Sequence, residues 1–137
     1  PRMEVMGSAM ARMGLVDKEG AFGLFIYQGQ APECRGFGIE GVRASGARVE
    51  VGQWTHLACV RENNRVCIYV NGTEQACESI LFSFAPPSST DELLLGQNSP
   101  PTSPQRDPLN GDLDEVRLYD RPLSAAEIGE MATRPPP

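Results

Sequence analysis

The sequence lacks the features of a membrane-spanning or nucleic-acid-binding protein. Its 137 residues contain no apolar run that approaches the roughly 20 residues of a membrane-spanning helix. The formal net charge is −6 and the basic residues do not cluster, so the phosphate backbone of a nucleic acid would be repelled. No charged segment followed by an apolar one opens the sequence, so we expect any targeting segment to lie outside it.

Metal-binding patterns are also scarce. None of the four cysteines has C-x-x-C spacing, and the single histidine, His56, adds little, which argues against a zinc finger. An even cysteine count in a β-rich chain predicts two disulfides and an oxidising compartment. The alternative is four buried thiols. The strand pattern turns Cys59 inward and Cys67 outward, so the preferred pairing is Cys34–Cys59 and Cys67–Cys77.

The residues that are present favour an all-β fold. Fourteen glycines and twelve prolines punctuate recurring strand-like runs in a chain of one-domain length. Two of these runs, Trp54–Arg61 and Arg65–Val70, alternate in polarity and are followed by Asn71-Gly72, the preferred hairpin turn. The pattern predicts a meander at the centre of an antiparallel sheet.

Further elements are predicted on both sides of this meander. The remaining strand-like runs are Phe22–Tyr27, Gly36–Glu40, Ala47–Val51, Thr73–Ser79, Leu93–Leu95 and Gly111–Tyr119. Leu93–Leu95 is continuously apolar, as in a strand buried on both faces. Ser124 and Glu127 have the spacing of a capping box, which predicts a short helix through Met131. The predicted fold is an antiparallel β-sandwich (a jelly roll) with a short C-terminal helix.

The sequence divides into three parts. Residues 1–13 are Met-rich and are predicted to be a partial N-terminal strand or a linker, and residues 14–131 form the jelly-roll domain. Residues 132–137 end in three prolines and are predicted to begin a stiff linker to another domain. The Pro-rich loop at 97–110 is the expected place for function, because binding residues concentrate in loops on a rigid scaffold.

Three motifs carry a family resemblance. They are G-Q-W-T-H-L-A-C-V with I-Y-V-N-G at residues 52–72, L-L-L-G-Q at 93–97, and L-N-G-D-L-D-E-V-R-L-Y-D-R-P-L-S-A-A-E-I at 109–128. In this order they resemble the laminin-G-like, concanavalin A-like lectin/glucanase jelly-roll family, in its pentraxin-related branch. The resemblance implies two antiparallel sheets packed face to face. Its structural signature falls on Trp54, Asn71, Gly72, Gly96, Gly111, Asp114 and Glu115.

The resemblance also implies a function. Members of this family mostly bind glycans, cell-surface proteins or extracellular matrix, which implies a secreted or surface-exposed recognition or adhesion module within a larger protein. Such a module would bind through rim loops near 29–35, 86–91 and 97–110. In the pentraxin branch, residues after L-G-Q supply calcium oxygens, and the matching side chains here are Asn98 and Asp107. Ca²⁺ takes six to eight oxygens, so these two residues predict at most a weak site.

The candidate contacts for a glycan include few aromatic residues, which make up 7% of the chain. The exposed platform is predicted to use Tyr27, Tyr69 and Tyr119. Trp54 is assigned to the core or the rim. His56 is predicted to lie in the sheet with its hydrogen-bonding groups paired. An enzymatic alternative is a glycoside hydrolase or lyase using Asp112 and Asp114, two residues apart on one strand face. A third reading is a structural spacer domain.

Overall fold

The protein is an antiparallel β-sandwich with a short helix near its C-terminal end. The computed structural model describes residues 12–27, 29–44, 46–81, 88–97 and 107–135. Its elements are β1 (Arg12–Lys18), β2 (Phe22–Tyr27), β3 (Ala31–Gly36), β4 (Ile39–Arg43), β5 (Leu57–Glu62), β6 (Arg65–Val70), β7 (Thr73–Ser79), β8 (Leu93–Leu95) and α1 (Ala125–Ala132). One sheet has the order β4-β3-β2-β1-β8 and the other β5-β6-β7, with antiparallel neighbours throughout. The predicted fold class is confirmed.

The main core lies between the two sheets. Val66, Ile68 and Val70 alternate along β6, as predicted, and pack with Cys34 and Val42 of the larger sheet. Val66, Ile68 and Cys34 are completely buried. Each buried aliphatic side chain of this kind contributes roughly 1.5–3 kcal/mol relative to an exposed one.

Two disulfides lie on opposite faces of the smaller sheet. Cys34–Cys59 joins β3 to β5 through the core and therefore connects the two sheets. Cys67–Cys77 joins the neighbouring strands β6 and β7 on the outer face, beside the buried Ile128 of α1. These are the bridges preferred from the sequence, and they leave none of the four cysteines free.

The Asn71-Gly72 turn connects the hairpin to the helix. Both residues have positive φ, 48° and 82°, as the tight turn requires. The side-chain oxygen of Asn71 accepts a hydrogen bond from the backbone N–H of His56 at 2.9 Å. A Cβ on Gly72 would lie 3.1 Å from both Ala132 and Gly129, so glycine allows α1 to pack closely over the turn.

The predicted strand Gly36–Glu40 is not continuous, because a turn at Phe37 and Gly38 separates the end of β3 from the start of β4. Gly36, Phe37 and Gly38 all have positive φ. The alternate glycines therefore indicate a turn, where left-handed conformations are needed, and not a strand. The rim loop predicted near 29–35 is also partly wrong, because β3 begins at Ala31.

Three further strand predictions need correction. Ala47–Val51 contains no strand. Leu93–Leu95 does form β8, but at the sheet edge, with Leu93 and Leu95 exposed instead of buried. Gly111–Tyr119 has no strand pairing within the described residues. The positive φ of Glu115 interrupts its alternation, and Asp114 accepts the N–H of Glu115 through its side chain.

The helix begins where the sequence predicted. Ser124 is the N-cap, and its hydroxyl accepts the N–H of Glu127 while the Glu127 carboxylate accepts the N–H of Ser124. Arg121 donates to both oxygens of the same carboxylate, at 3.0 and 2.7 Å. With eight residues, α1 is too short to cross a membrane, and the described residues contain no longer helix.

The two disulfides should differ in their contribution to stability. The sequence separations are 25 for Cys34–Cys59 and 10 for Cys67–Cys77, and the longer loop loses more chain entropy when closed. We expect the C34A/C59A variant to lose about 3 kcal/mol of unfolding free energy in urea titrations. The matched C67A/C77A variant should lose less. A larger loss in C67A/C77A would contradict this ranking.

The helix start should respond to acid. Hydrogen bonds from Arg121 and from the backbone of Ser124 lower the pKa of Glu127 from 4.5 to about 2. A depressed carboxylate pKa stabilises the fold above pH 4.5, and this contribution disappears as the pH falls towards 2. NMR should show α1 loosening in that window, less steeply in high salt because the pair is exposed. The Glu127→Gln variant should lack this transition, and an identical transition in that variant would disprove the assignment.

Candidate functional site

Charged and aromatic side chains gather on the outer face of the larger sheet. We call this surface the arginine–tyrosine face, and its members are Arg12, Tyr27, Glu33, Arg35, Arg43 and Asp107. All except Asp107 come from β1, β2, β3 and β4. The surface lies on the opposite side of the sheet from Cys34 and Val42, which face the core.

Strand register explains why these side chains meet. Arg12 pairs with Tyr27 across β1 and β2, and Glu33 pairs with Arg43 across β3 and β4. Residues two apart on a strand face the same side, so Arg35 lies on the same surface as Glu33. Because Cys34 between them faces inward, a single strand supplies both the core disulfide and the polar face.

Tyr27 is the centre of this surface. Its hydroxyl oxygen accepts hydrogen bonds from Arg12 at 3.2 Å and from Arg35 at 2.6 Å. The guanidinium of Arg43 lies over the Tyr27 ring, 4.3 Å from its centroid. Three cationic side chains therefore contact one tyrosine, two through its oxygen and one through its π face.

Two carboxylates balance part of this positive charge. Asp107 accepts from Nε of Arg12 at 3.0 Å, and Glu33 accepts from Arg43 at 2.7 and 2.8 Å. Glu33 is nearly buried, and a Cβ on Gly41 would lie 2.2 Å from its Oε1. Glycine at position 41 therefore provides the space in which the carboxylate of Glu33 lies against the sheet.

Arg12 is held in a fixed position from several sides. Its guanidinium lies 4.5 Å from the centroid of the Phe25 ring in addition to its bonds to Tyr27 and Asp107. Burial acts to lower the pKa of Arg12, but the hydrogen bonds to Tyr27 and Asp107 outweigh it and raise the pKa above its ordinary value. Arg12 therefore remains a cation at every physiological pH.

Asp107 is the one predicted calcium ligand within the described residues, because Asn98 lies outside them. Its carboxylate faces a guanidinium, and its backbone carbonyl accepts the N–H of Gly14 at 2.8 Å. A cation bound at this carboxylate would lie close to the guanidinium of Arg12, which disfavours it. Binding of Ca²⁺ by Asn98 and Asp107 stays a prediction.

The other predicted tyrosines lie elsewhere. Tyr69 is only 8% exposed, packs with Ile128 of α1 and donates its hydroxyl to Glu74 at 3.3 Å, so it is not part of an exposed platform. Burial, with the charge of Glu74, raises the pKa of Tyr69. Tyr119 is exposed, and its hydroxyl is 4.0 Å from the sulfur of Met131.

A second concave surface lies beside β5. It is a trough of about 1180 Å³ between the sheets, walled by β5 and by residues 109–123. Most of its lining surface is apolar, and Trp54, which is 47% exposed, stands in its wall. Trp54 is therefore a surface residue of the trough and not a member of the core.

The acidic residues of the enzymatic alternative also line this trough. Asp112 and Asp114 are exposed, and Asp114 is engaged with the backbone N–H of Glu115. Glu115 forms an ion pair with Arg117. This local bonding agrees with the structural role that the family signature implies for Asp114 and Glu115.

His56 differs from its prediction. Its Nδ1 is buried and has no hydrogen-bond partner among the described residues, although the sequence predicted a satisfied sheet histidine. Burial lowers the pKa of His56, so the ring is neutral at pH 7. A neutral imidazole in the trough wall supplies no positive charge to a ligand.

One other cluster has metal-ligand chemistry. Cys67, Glu74 and Cys77 place their potential donor atoms within 4.8 Å of one another. Both sulfurs are used in the Cys67–Cys77 bridge, so the cluster offers one carboxylate and no thiolate. It does not form a metal site while the bridge is intact.

Sequence reasoning identified Tyr27 and Asp107 but missed the residues that join them. Arg12, Arg35 and Arg43 lie on three different strands, and only the pairing register brings them together. The available signal was the alternation in Glu33-Cys34-Arg35, where a disulfide cysteine separates two charged residues. The assignment of this segment to a loop concealed that signal.

The Tyr27 hydroxyl should stabilise the fold through its two arginine donors. We expect Tyr27→Phe to lower the unfolding free energy by about 1 kcal/mol, because two charged donors lose an acceptor on a partly hydrated surface. Chemical denaturation measures the change. Tyr119→Phe is the matched control and should alter stability by less than about 0.5 kcal/mol. Equal effects in the two variants would argue against the hydrogen-bonded centre.

Comparison with known proteins agrees with this architecture. Residues 4–129 match the family described as the concanavalin A-like lectin/glucanases superfamily. A Bacteroides ovatus protein provisionally assigned to carbohydrate binding has a similar structure, with a TM-score of 0.70 and 16% identity, over 94% of this chain. The chain spans 42% of the length of that protein.

A second solved structure shares the fold. It comprises residues 221–444 of an S-layer domain-containing protein from Clostridium thermocellum, with a TM-score of 0.53 and 20% identity. The match covers 97% of this chain and 68% of that one. Among curated proteins, no sequence matches the chain. At these identities the similarity to the two structures concerns the fold alone.

Proposed function

The chain belongs to the concanavalin A-like lectin/glucanase superfamily, and we propose that it is a non-catalytic glycan-binding module that holds its ligand on the arginine–tyrosine face. The observation that carries this proposal is the set of bonds around Tyr27, in which Arg12 and Arg35 donate to one hydroxyl. Fixed donors and acceptors on strands are suited to polyhydroxylated ligands, because rigid elements hold a site more precisely than loops do.

The burial of charge on this surface supports a binding role. Glu33 is 7% exposed and Arg12 is partly buried, and desolvating such groups is costly unless they are paired. A spacer domain could stabilise its sheet with apolar side chains and would not need a charged cluster of this kind. Binding sites, in contrast, commonly hold polar groups in fixed positions at some cost to stability.

The extracellular setting is part of the proposal. Two disulfides favour an oxidising compartment, and the similar structures include an S-layer domain-containing protein. A module that spans less than half of a similar protein also suits a larger multidomain architecture. We therefore propose that the domain belongs to a secreted or cell-surface protein. Its preferred ligand class in this proposal is a glycan, and a protein ligand is the second choice.

The enzymatic alternative has weaker support. Asp112 and Asp114 lie on an exposed segment without strand pairing in the described part of the chain, where no neighbouring strand fixes their separation. A glycosidase needs two carboxyl groups held at a defined distance across the scissile bond. Asp107 and Glu33, the two carboxylates of the arginine–tyrosine face, are each engaged by an arginine.

A glycan array tests this function. The wild-type domain should give a specific signal, and Tyr27→Ala should abolish it because that change removes the acceptor of Arg12 and Arg35 and the ring beneath Arg43. Tyr119→Ala, which removes an exposed tyrosine outside the face, should leave the signal unchanged. Thermal unfolding of both variants controls for loss of fold.

Two results would count against the proposal. Equal losses in Tyr27→Ala and Tyr119→Ala would move the binding site away from the arginine–tyrosine face. Hydrolysis of a polysaccharide panel by the wild-type domain, absent in Asp114→Asn, would establish the enzymatic alternative.

A further inference from the structure

Donor groups outnumber acceptors at the centre of the arginine–tyrosine face. The oxygen of Tyr27 uses its acceptor positions for Arg12 and Arg35. Its own hydroxyl hydrogen has no acceptor within range in the described part of the chain. A tyrosine hydroxyl is also a donor, so this hydrogen remains available to a bound molecule.

Arg35 is the arginine of this surface that has no counterion among the described residues. Arg12 and Arg43 each form an ion pair, with Asp107 and Glu33. Arg35 donates to Tyr27 at 2.6 Å, and no carboxylate of the described residues lies within ion-pair distance of it. A guanidinium has five N–H groups in a planar fork, and within the described part of the chain the hydrogen bond that Arg35 donates goes to Tyr27.

One further carboxylate lies on the same side of the sheet. Asp17 is separated from Arg35 by Gly23, which pairs with both residues across β1, β2 and β3. It is 4% exposed and has an interaction partner. Among the ion pairs of the described residues, none joins the carboxylate of Asp17 to Arg35.

We propose that Arg35 and the Tyr27 hydroxyl bind the carboxylate of an acidic sugar, a uronic acid, in the ligand of this face. The inference rests on the proposed glycan-binding function and adds the chemical class of the sugar. An ionised carboxylate only accepts hydrogen bonds, so it matches adjacent donors that lack acceptors. A neutral sugar hydroxyl donates as well as accepts and leaves the charge of Arg35 unbalanced.

The same surface shows why a carboxylate fits better than a sulfate. Its other two arginines already hold carboxylates, Arg12 that of Asp107 and Arg43 that of Glu33. Planar carboxylates and guanidinium forks form charge-assisted bonds with strong directional preference. A uronic acid would give Arg35 the kind of partner that its two neighbours take from the protein itself.

The overall charge of the chain makes such binding selective. A net charge of −6 repels polyanions in general, so attraction must come from the local site. Affinity for an acidic glycan should therefore depend on Arg35 much more than on arginines elsewhere. This dependence separates a specific site from general ionic adsorption.

Paired ligands that differ only in charge test the inference. Isothermal titration calorimetry at low salt compares tetragalacturonate with its methyl ester, which removes the negative charges and keeps the sugar backbone. We expect the acid to bind at least about tenfold more tightly than the ester, since a hydrogen bond to a charged group is worth roughly a factor of ten or more. Dextran sulfate and dextran form a second pair that reports on sulfate.

Variants locate the interaction. Arg35→Gln should weaken tetragalacturonate binding about tenfold. Arg35→Lys keeps the positive charge but lacks the planar guanidinium, so its affinity should lie between that of Arg35→Gln and that of the wild type. Arg134→Gln removes the same charge at the exposed end of α1 and should change affinity less than about twofold. A cooperative thermal unfolding transition in each variant confirms that it is folded.

The outcomes separate this inference from the proposed function. Equal affinities for tetragalacturonate and its methyl ester would overturn the acidic-sugar inference and leave glycan binding intact. The same conclusion would follow if the wild-type domain bound neutral glycans on the array and Tyr27→Ala abolished that binding. Preference for dextran sulfate over tetragalacturonate would overturn the choice of carboxylate. Equal losses in Arg35→Gln and Arg134→Gln would show ionic adsorption and overturn the site. If the domain bound no glycan on the array and none of the four ligands (tetragalacturonate, its methyl ester, dextran sulfate and dextran), both proposals would be overturned.

Discussion

The two-residue period of β3 joins the core of this protein to its candidate site. Cys34 faces inward and forms the bridge to β5, while Glu33 and Arg35 face outward on the arginine–tyrosine face. A shift of one residue in this register would expose the cysteine and bury the two charges. The same strand geometry therefore fixes the contact between the sheets and the position of the charged side chains.

Local patterns in the sequence predicted the parts of the fold that depend on neighbouring residues. The hairpin at Asn71-Gly72, the capping box at Ser124 and both disulfide pairs are confirmed by the structure. Family motifs added the sandwich architecture. The turn at Gly36 was mistaken for a strand because alternating glycines satisfy a period of two, while their positive φ values are visible only in three dimensions.

The candidate site could be predicted only in part, because it depends on strand register. Tyr27 and Asp107 were selected one by one, but Arg12, which bonds to both, lay in a segment of weak pattern. Tyr69 was expected to be exposed, but α1 covers it. This tertiary contact is not encoded in any local sequence pattern. The Gly111–Tyr119 prediction failed because an alternating sequence does not ensure a partner strand, and Glu115 breaks the alternation.

We propose that a glycan contacts the outer side of the larger sheet and not the trough beside β5. NMR titration of the ¹⁵N-labelled domain with an array-selected oligosaccharide distinguishes the two surfaces, because backbone amides report contact residue by residue. We predict that saturable shift changes will concentrate in β1, β2 and β3, around Arg12, Tyr27 and Arg35. Changes confined to Trp54 and residues 112–119 would contradict the account and place the ligand in the trough.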